Sequence, residues 1–280
     1  MPELVKVSPG MLDEVHRDLL HAMNPRMPLD SWRRLFRPGW DSGQDHVGYA
    51  LRTADTLVGF AAYLYSVPHV GESQRRVCNL STWVVDPAFR SQAMRLVMPV
   101  LKQKDLIVTN LTAVKSVHDI FSGLGFRVLE SHLRVHRLAV SAAGTGTSVL
   151  FGDDIPVDRL TATDAAVHRS HREVAHSALI ETPQGSCFVL FTVGTRRRLR
   201  TVRLHHISPA DGLIHGLRAW QWAVFRRHGA LFVEYDRRLA IGAPRPFSDI
   251  ALSNTRLYRA EGVPPESISN AYSETVLLNI

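Results

Sequence analysis

Apolar and polar residues along this chain follow two spacings that alternate, and the alternation predicts an α/β protein. Helical spacing of apolar side chains is found at residues 10–23, 29–36, 91–104 and 114–123. Short apolar runs typical of strands are found at residues 3–8, 47–52, 57–65, 77–85, 105–110 and 126–138. The pattern predicts a mixed central sheet flanked by helices.

The same rhythm returns in the second half of the chain. A helix is predicted at 162–180, strands at 186–193 and 200–207, a helix at 210–228 and a strand at 230–235. Small residues without periodicity, from Ser141 to Thr147, separate the two series. We therefore expect two tandem halves, a first domain over residues 1–140 and a second over residues 148–280.

One strand stops at a proline and leads into a helix, which is a junction suited to an anion. The backbone N–H groups of a first helical turn lack acceptors within the helix, and the helix dipole adds positive potential there. The strand ends in Trp83-Val84-Val85-Asp86-Pro87. The candidate binding residues are Val84, Val85, Arg90, Ser91, Gln92, Ala93, Met94 and Arg95.

A second motif, Ile120-Phe121-Ser122-Gly123-Leu124-Gly125-Phe126, predicts a helix that closes at Gly125 and feeds a strand. Together the two motifs resemble the GCN5-related N-acetyltransferase superfamily over roughly residues 1–139. In that family a strand ending in Val-x-Pro leads to a loop, Arg/Gln-x-x-Gly-x-Gly/Ala, that grips the pyrophosphate of acetyl-CoA. A later helix of the family ends in Tyr-x-x-Leu-Gly-Phe.

This chain departs from the family pattern at several positions. Ser91, Ala93 and Arg95 stand where the family usually has glycines, and their side chains limit how closely a backbone can approach phosphate. Phe121 stands where many members have the tyrosine that protonates the departing thiolate. No Glu or Asp occurs between Gln74 and Val85, where the family often keeps a catalytic carboxylate.

The resemblance implies an acyltransferase whose co-substrate is acetyl-CoA or another acyl-CoA. The acyl group would pass to an amine or hydroxyl of a small-molecule acceptor, such as an amine or a sugar, held between the two halves. An alternative is a non-catalytic module of the same fold that binds CoA or a partner protein. The altered loop, Phe121 and the missing carboxylate favour this alternative.

Polar side chains gather at the ends of two central strands. Asn79, Ser81 and Thr82 lie on one strand, and Asn110 ends the next. Since open α/β sheets bind ligands at their carboxyl edge, we expect Asn79, Ser81 and Asn110 to position the acceptor or its attacking group. His118, on the following helix, could act through a water molecule. In the competing interpretation, the polar side chains stabilise turns and cap the following helix, and His118 is a packing or surface residue.

The composition indicates a folded globular protein and gives no sign of a membrane span or a signal peptide. The 280 residues are 45% apolar and 21% charged, as in a folded globular protein. No apolar run reaches the roughly 18 residues that span a bilayer. The first residues carry neither a basic leader nor an apolar signal core, so we expect a cytoplasmic protein.

Charge and metal-binding residue types add little to this interpretation. The formal charge of +7 is concentrated in stretches such as Arg196–Arg200, which lies between two strand patterns and has no interleaved aromatic residues. We expect a solvated hairpin tip there and no nucleic-acid contact. His171 and His176 are one residue too far apart for the zinc-protease spacing, and the two cysteines lie in apolar runs. We expect no metal site and no disulfide.

Overall fold

The computed structural model of the chain describes residues 1–71, 73–138, 146–240, 242 and 245–280. The strands of the first half are β1 (Glu3–Lys6), β2 (Gly48–Arg52), β3 (Leu57–Ser66), β4 (His69–Val70), β5 (Ser73–Gln74), β6 (Val77–Val85), β7 (Ile107–Asn110) and β8 (Arg127–Arg137). Those of the second half are β9 (Ser148–Phe151), β10 (His176–Thr182), β11 (Gly185–Arg196), β12 (Leu199–Ser208), β13 (Phe232–Asp236) and β14 (Ser248–Arg259).

Helices cover the faces of the sheet. The α-helices are α1 (Leu12–Val15), α2 (His21–Met23), α3 (Leu29–Phe36), α4 (Met98–Leu101), α5 (Lys115–Gly123), α6 (Ala162–His171), α7 (Ala210–His228) and α8 (Glu274–Leu277). A π-helical stretch, His16–Leu20, joins α1 to α2. The 3₁₀ helices are Pro9–Met11, Pro87–Leu96, Gly152–Asp154, Val157–Arg159, Arg237–Leu239 and Pro265–Ser267.

Within the described residues, twelve strands form one sheet whose order is symmetric about its centre. The order is β1-β2-β3-β6-β7-β14-β8-β13-β12-β11-β10-β9. Two pairs of neighbouring strands are parallel, β6 with β7 and β12 with β13. Counted outward from the centre of the sheet, the two pairs occupy equivalent positions. The predicted class, a mixed sheet flanked by helices and built from two tandem halves, is confirmed.

A strand that follows the predicted domain boundary belongs to the sheet of the first half. Strand β14 lies between β7 and β8, so a late segment of the chain completes the sheet of the first half. Residues 139–145, which include most of the predicted linker, lie outside the described residues. The division into residues 1–140 and 148–280 stays a prediction.

Two predicted helices differ from the structure. The predicted helix 91–104 is a 3₁₀ helix, Pro87–Leu96, followed by α4, which has Pro99 in its first turn. Proline lacks an N–H group and is accepted only near a helix start, so a new helix begins there. The predicted helix 162–180 ends at His171, because residues 176–182 pair as β10 with β9 and β11.

Helix α5 ends as its sequence predicts. Gly125 has a φ of +83°, its N–H bonds to the carbonyl of Ser122, and the N–H of Phe126 bonds to the carbonyl of Phe121. This is the hydrogen-bond pattern of a Schellman cap, and the rings of Phe126 and Phe121 stack with centroids 4.7 Å apart. The cap fixes the turn from α5 into β8.

Buried apolar side chains form separate clusters on the two halves. In the first half, the helical segments that flank β6 pack on the sheet around Leu96, Val100 and Phe121. In the second half, α7 packs on β10 and β11 around Trp220. Gly216 permits this close approach, because a Cβ there would lie 2.3 Å from a methyl carbon of Ile180.

Cys78 and Cys187 are buried free thiols in these two clusters. Within the described ranges, no helix is both long enough and apolar enough to cross a lipid bilayer.

Candidate functional site

The parallel pairing of β6 with β7 is short, and because β7 ends at Asn110 it leaves a gap beside the later part of β6. They pair only from Val77 to Asn79, whereas β6 continues to Val85 beside β3. Among the described residues, no strand pairs with Leu80–Val85 on the β7 side. Since alternate backbone N–H groups of a strand point to each side, several donors of this stretch face the gap.

A β-bulge lies in the same stretch of β6. Ala61 pairs with Trp83 and Ala62 pairs with Ser81, so Thr82 is an extra residue without a partner on β3. Thr82 has a φ of +45°, which is uncommon for a β-branched residue. Bulges redirect backbone groups, and strained residues of this kind concentrate at functional sites.

A cavity of about 300 Å³ opens beside the bulge. Its walls include Ser81, Thr82 and Trp83 from β6 and Asn110 from the end of β7. The indole N–H of Trp83 is buried and has no hydrogen-bond acceptor within the described residues. Buried donors are nearly always paired, so this unpaired N–H, on a residue of the cavity wall, is an exception.

Glu274, the first residue of α8, contributes the only described carboxylate in the wall of this cavity. Its side chain is buried, and burial raises its pKa to about 7, although the hydroxyl of Thr112 donates to Oε1 over 2.9 Å and works in the opposite direction. Within the described residues Oε2 has no hydrogen-bond partner. A carboxylate with a pKa near neutrality and one free oxygen is suited to accept a proton.

Asn79 holds the backbone of Glu274 in place. Its Oδ1 accepts the N–H of Glu274 over 3.2 Å, and its Nδ2 donates to Thr109 Oγ1 over 3.1 Å. Both ends of the amide are therefore occupied within the protein. The sequence placed Asn79 beside the acceptor, whereas in the structure it anchors the start of α8.

The other predicted catalytic residues lie in different surroundings. Ser81 and Asn110 both line the cavity, and Asn110 Oδ1 also accepts the N–H of Thr112 over 3.3 Å. His118 is partly exposed on α5, where its Nδ1 lies 3.4 Å from Asp119 Oδ1, and it does not line the cavity. The structure thus brings Ser81 and Asn110 together but leaves His118 outside.

Phe121 is buried and stacks on the indole of Trp83, with ring centroids 5.5 Å apart. Its contacts make it part of the wall behind Trp83.

The predicted phosphate loop has few free backbone donors. The carboxylate of Asp86 accepts the N–H of Ala88 over 2.8 Å, and the N–H of Phe89 bonds to the Asp86 carbonyl. From Pro87 to Leu96 the backbone is a 3₁₀ helix, the type of helix whose N–H groups bond to carbonyls three residues earlier. The N–H cradle expected from the sequence is therefore largely occupied by the chain itself.

Side chains supply the positive charge of this loop. Arg90 and Ser91 are exposed. Arg95 is partly buried and donates to the carbonyl of Pro2 over 2.8 Å. Gln92, Ala93 and Met94 are partly buried, as are Val84 and Val85 at the end of β6.

A second cavity of about 560 Å³ lies between the two halves. Strands β11 to β14 and the C-terminal segment line it, and Thr112 and Ile280 line both this cavity and the smaller one. Its charged groups include Glu234, which pairs with Arg196 over 3.0 Å and with Arg203 over 2.6 Å. Arg197 and Arg198 form the exposed hairpin tip predicted from the sequence, but Arg196 turns inward.

The second half repeats the gap of the first. Strands β12 and β13 pair only from Thr201 to Arg203, and β12 continues to Ser208. Phe191 pairs with Leu204 and Leu190 with His206, so His205 is an extra residue at the equivalent place. This gap is filled by the C-terminal segment, residues 268–276, whose Asn270 N–H bonds to the carbonyl of His205 over 3.2 Å.

Buried contacts hold the C-terminal segment there. His205 is fully buried, with Nε2 2.9 Å from Thr192 Oγ1 and Nδ1 3.5 Å from Thr275 Oγ1. His171 Nε2 lies 3.0 Å from the carbonyl oxygen of Ala271. Burial lowers the pKa of His205 well below its usual value, so the ring is neutral near pH 7.

The histidines do not gather into a metal site in the part of the chain that the structure describes. No group of three or more His, Cys, Asp or Glu side chains is arranged there to hold a metal ion.

Comparison with known proteins identifies the fold. No protein-family model matches the sequence, and no curated protein sequence matches it. Among solved structures, the chain is similar to a GCN5-related N-acetyltransferase from Anabaena variabilis, at 12% identity and a TM-score of 0.59, over 92% of this chain and 72% of that one. It is also similar to a GCN5-related N-acetyltransferase from Kribbella flavida, at 14% identity and a TM-score of 0.54, over 93% and 71% of the two chains. The chain therefore has the GCN5-related N-acetyltransferase fold, as the resemblance implied.

The sequence did not indicate Glu274 as a site residue. It is the only charged residue from Ser267 to Ile280, and a lone carboxylate in such a stretch is a signal of a buried, specific role.

Proposed function

We propose that this chain is an acyl-CoA-dependent acyltransferase that moves an acyl group to an amine or hydroxyl of a small polar acceptor. One observation carries the proposal. The gap beside β6, with the bulge at Thr82, opens onto a cavity whose wall holds the buried carboxylate of Glu274. Hydrogen-bond donors and a proton acceptor thus lie on two sides of one small space, as acyl transfer requires.

Different groups around the gap and the cavity would have different roles in the reaction. Backbone N–H groups of Leu80–Val85 and the indole N–H of Trp83 would donate to the thioester oxygen as negative charge develops on it. Glu274 would accept a proton from the attacking amine or hydroxyl, directly or through water. As the C–S bond of the thioester breaks, the CoA thiolate would leave and take up a proton from Glu274 or from water. Thr112 and Asn79 are positioning residues, because they hold the carboxylate and the backbone of Glu274. Ser81 and Asn110 would contact the reacting groups from the cavity wall.

The phosphate end of an acyl-CoA would be held mainly by side chains. Arg90 is exposed at the predicted loop and Arg95 lies next to it, so guanidinium groups can pair with phosphate oxygens there. The backbone from Ser91 to Met94 is bonded to itself and adds little. The pantetheine arm would follow the open edge of β6 past Val84 and Val85.

The acceptor would occupy the cavity between the halves. That cavity meets the smaller one at Thr112, whose hydroxyl bonds to Glu274. Threonine, arginine and asparagine side chains in its walls suit an acceptor rich in hydrogen-bonding groups, such as a polar amine or an amino sugar.

A turnover assay tests the proposal. The protein is incubated with acetyl-CoA and a panel of amines, amino sugars and sugars, and release of the CoA thiol is followed. We expect release above the uncatalysed rate with at least one acceptor, and calorimetry should show binding of acetyl-CoA. Binding without turnover across the panel would contradict the enzymatic proposal, and absence of binding would contradict any CoA-dependent role.

A second candidate is a non-catalytic module of this fold that binds CoA or a partner. The cap that Asp86 places on Ala88 favours it, because a carboxylate lies where phosphate oxygens would otherwise be bound. The two candidates differ in one observable. A module would bind CoA and acetyl-CoA equally and would leave the thioester intact with every acceptor, whereas the enzyme would consume it.

A further inference from the structure

A groove rich in arginine lies between α3 and the end of α6, and none of its described lining residues lines either cavity of the proposed active site. Its volume is about 630 Å³. Five arginine side chains line it: Arg33, Arg34, Arg37, Arg169 and Arg172. Two carboxylates, Asp30 and Glu173, also line it, which leaves an excess of three positive charges.

Most of the guanidinium groups are free to bind a ligand. Arg33 pairs with Asp30, and Arg34 donates weakly to the carbonyl of Leu277 over 3.4 Å. In the described ranges, no ion pair or side-chain hydrogen bond holds Arg37, Arg169 or Arg172. All five side chains are exposed to solvent. Asp30 and Glu173 offset part of the repulsion among the arginines, and solvent or a bound anion would offset the rest.

The two walls of the groove are fixed relative to each other. At Gly39 a Cβ atom would lie 2.4 Å from the carbonyl oxygen of Ser170, so the segment after α3 touches the end of α6 directly. The ring of Trp40 packs 5.1 Å from the rings of both His171 and Tyr272. The backbone segments that carry the arginines of the two halves are thus held beside each other before any ligand arrives.

We propose that this groove binds a small molecule carrying two or more phosphate groups. A guanidinium group matches the spacing of two phosphate oxygens, and the excess positive charges call for more than one phosphate. The volume is that of a small-molecule site. No aromatic side chain is among the described residues that line the groove, so it lacks the platform on which single-stranded nucleic acid stacks.

The groove is separate from the proposed phosphate loop of the acyl-CoA site. None of its lining residues belongs to the 3₁₀ helix Pro87–Leu96 or to either cavity of the proposed active site. It therefore constitutes a second anion site, and it stands or falls independently of the proposed acyl transfer.

Calorimetric titration of the full chain with inorganic pyrophosphate tests the proposal, with inorganic phosphate as the single-phosphate comparison. We expect pyrophosphate to bind at least about tenfold more tightly than phosphate, since it engages arginines on both walls. The double variant Arg169→Glu with Arg172→Glu should weaken pyrophosphate binding by at least about a hundredfold. The matched control is Arg218→Glu with Arg226→Glu, because both residues are exposed on α7 and the net charge changes equally.

Several outcomes would overturn the proposal. Equal weakening in the α7 control would mean that only net charge matters. Loss of pyrophosphate binding in Arg90→Glu, with none in the groove variant, would place the anion at the acyl-CoA loop. A groove that binds a single-stranded oligonucleotide but not pyrophosphate would be a nucleic-acid site. If the double variant does not fold, the single variant Arg37→Ser serves instead, and unchanged pyrophosphate affinity in it would contradict the groove.

Turnover distinguishes this proposal from the proposed function. The groove variants should release CoA from acetyl-CoA at an unchanged rate, because none of the groove arginines lines a cavity of the proposed active site. A protein that binds pyrophosphate in the groove but never acetylates an acceptor would support the groove alone.

Discussion

The two halves of the sheet build the same gap, and only one of the two gaps is open. In both halves a parallel pair separates after three paired residues, and in both an extra residue interrupts the longer strand, Thr82 in β6 and His205 in β12. The first gap opens onto a cavity of about 300 Å³. The second gap is filled by residues 268–276, which bond to the backbone and the ring of His205.

The difference shows that one short segment decides the role of both gaps. Residues 268–276 fill the second gap and then bring Glu274 to the cavity of the first. A carboxylate missing from β6 is thereby supplied from far along the chain. Each half thus depends on the same segment, one for its packing and the other for its proposed chemistry.

Removing the carboxylate of Glu274 should give the largest effect on turnover. Glu274→Gln keeps the shape of the side chain and its contact with Thr112 but cannot accept a proton. We expect turnover to fall about 10²–10⁴-fold with acetyl-CoA affinity unchanged. In the unaltered protein, turnover should rise with pH through about 7, the raised pKa of Glu274, and the variant should lack this rise.

Glu266→Gln is the matched control, since Glu266 is exposed and lies just before residues 268–276. A Glu274→Gln protein with normal turnover and an unchanged pH profile would contradict the role of Glu274 as base.

The same substitution should stabilise the fold at alkaline pH. The folded pKa of Glu274 is about 7 and the ordinary value is 4.5, so the folded state binds more protons between these values and its stability falls as pH rises through that window. We compare the unfolding free energy of Glu274→Gln with that of the unaltered protein at each pH. We expect this difference to favour the variant by about 3 kcal/mol more at pH 8 than at pH 4.5.

Chemical denaturation at the two pH values measures this difference. Burial lowers the pKa of His136, His171 and His205, so these residues destabilise the fold as pH falls, but they do so equally in both proteins. A variant that is less stable at every pH would mean that the carboxylate is a structural partner and not a strained functional group.

Disturbing the filled gap should affect stability and not binding. His205→Ala removes a fully buried ring and leaves the hydroxyls of Thr192 and Thr275 without that partner. We expect a loss of about 2–3 kcal/mol in unfolding free energy and unchanged acetyl-CoA affinity in the folded protein. Thermal melting and calorimetry measure the two quantities. A His205→Ala protein that melts normally but loses acetyl-CoA would place the co-substrate in the second gap.

The smallest predicted effect is that of Asp86→Ala, in the loop beside the open gap. Asp86→Ala frees the N–H of Ala88 and removes a negative charge that would repel phosphate. We expect acetyl-CoA affinity to rise by about 1 kcal/mol while the loss of the cap costs about 1 kcal/mol of stability.

Arg90→Glu should weaken acetyl-CoA binding by about 1–3 kcal/mol. Unchanged affinity in both variants would place the phosphates away from this loop.

Local pattern in the sequence predicts most elements but not the segments that close the two gaps. Strand β14 and residues 268–276 take their places through partners far away in sequence, in β7, β8 and β12. Periodicity reports only which face of a segment is apolar, so it could not assign these partners. Spacing did place Ser81 and Asn110 at adjacent strand ends, and both line the cavity.

The loop after β6 shows a different limit. Its apolar spacing fits a helix, but spacing does not distinguish a 3₁₀ helix from an α-helix over a few turns, and the cap by Asp86 depends on one side-chain rotamer. The sequence therefore could not show how many backbone N–H groups of this loop remain free, although Asp86-Pro87 marks where the helix begins.

Amide hydrogen exchange with and without acetyl-CoA tests most directly whether the first gap is the acyl site and the second is filled. The account predicts that acetyl-CoA slows exchange in Leu80–Val85 and leaves Leu204–Ser208 unchanged, because only the first stretch has donors facing an open cavity. Slowed exchange at Leu204–Ser208, or no change at Leu80–Val85 when acetyl-CoA is bound, would contradict it.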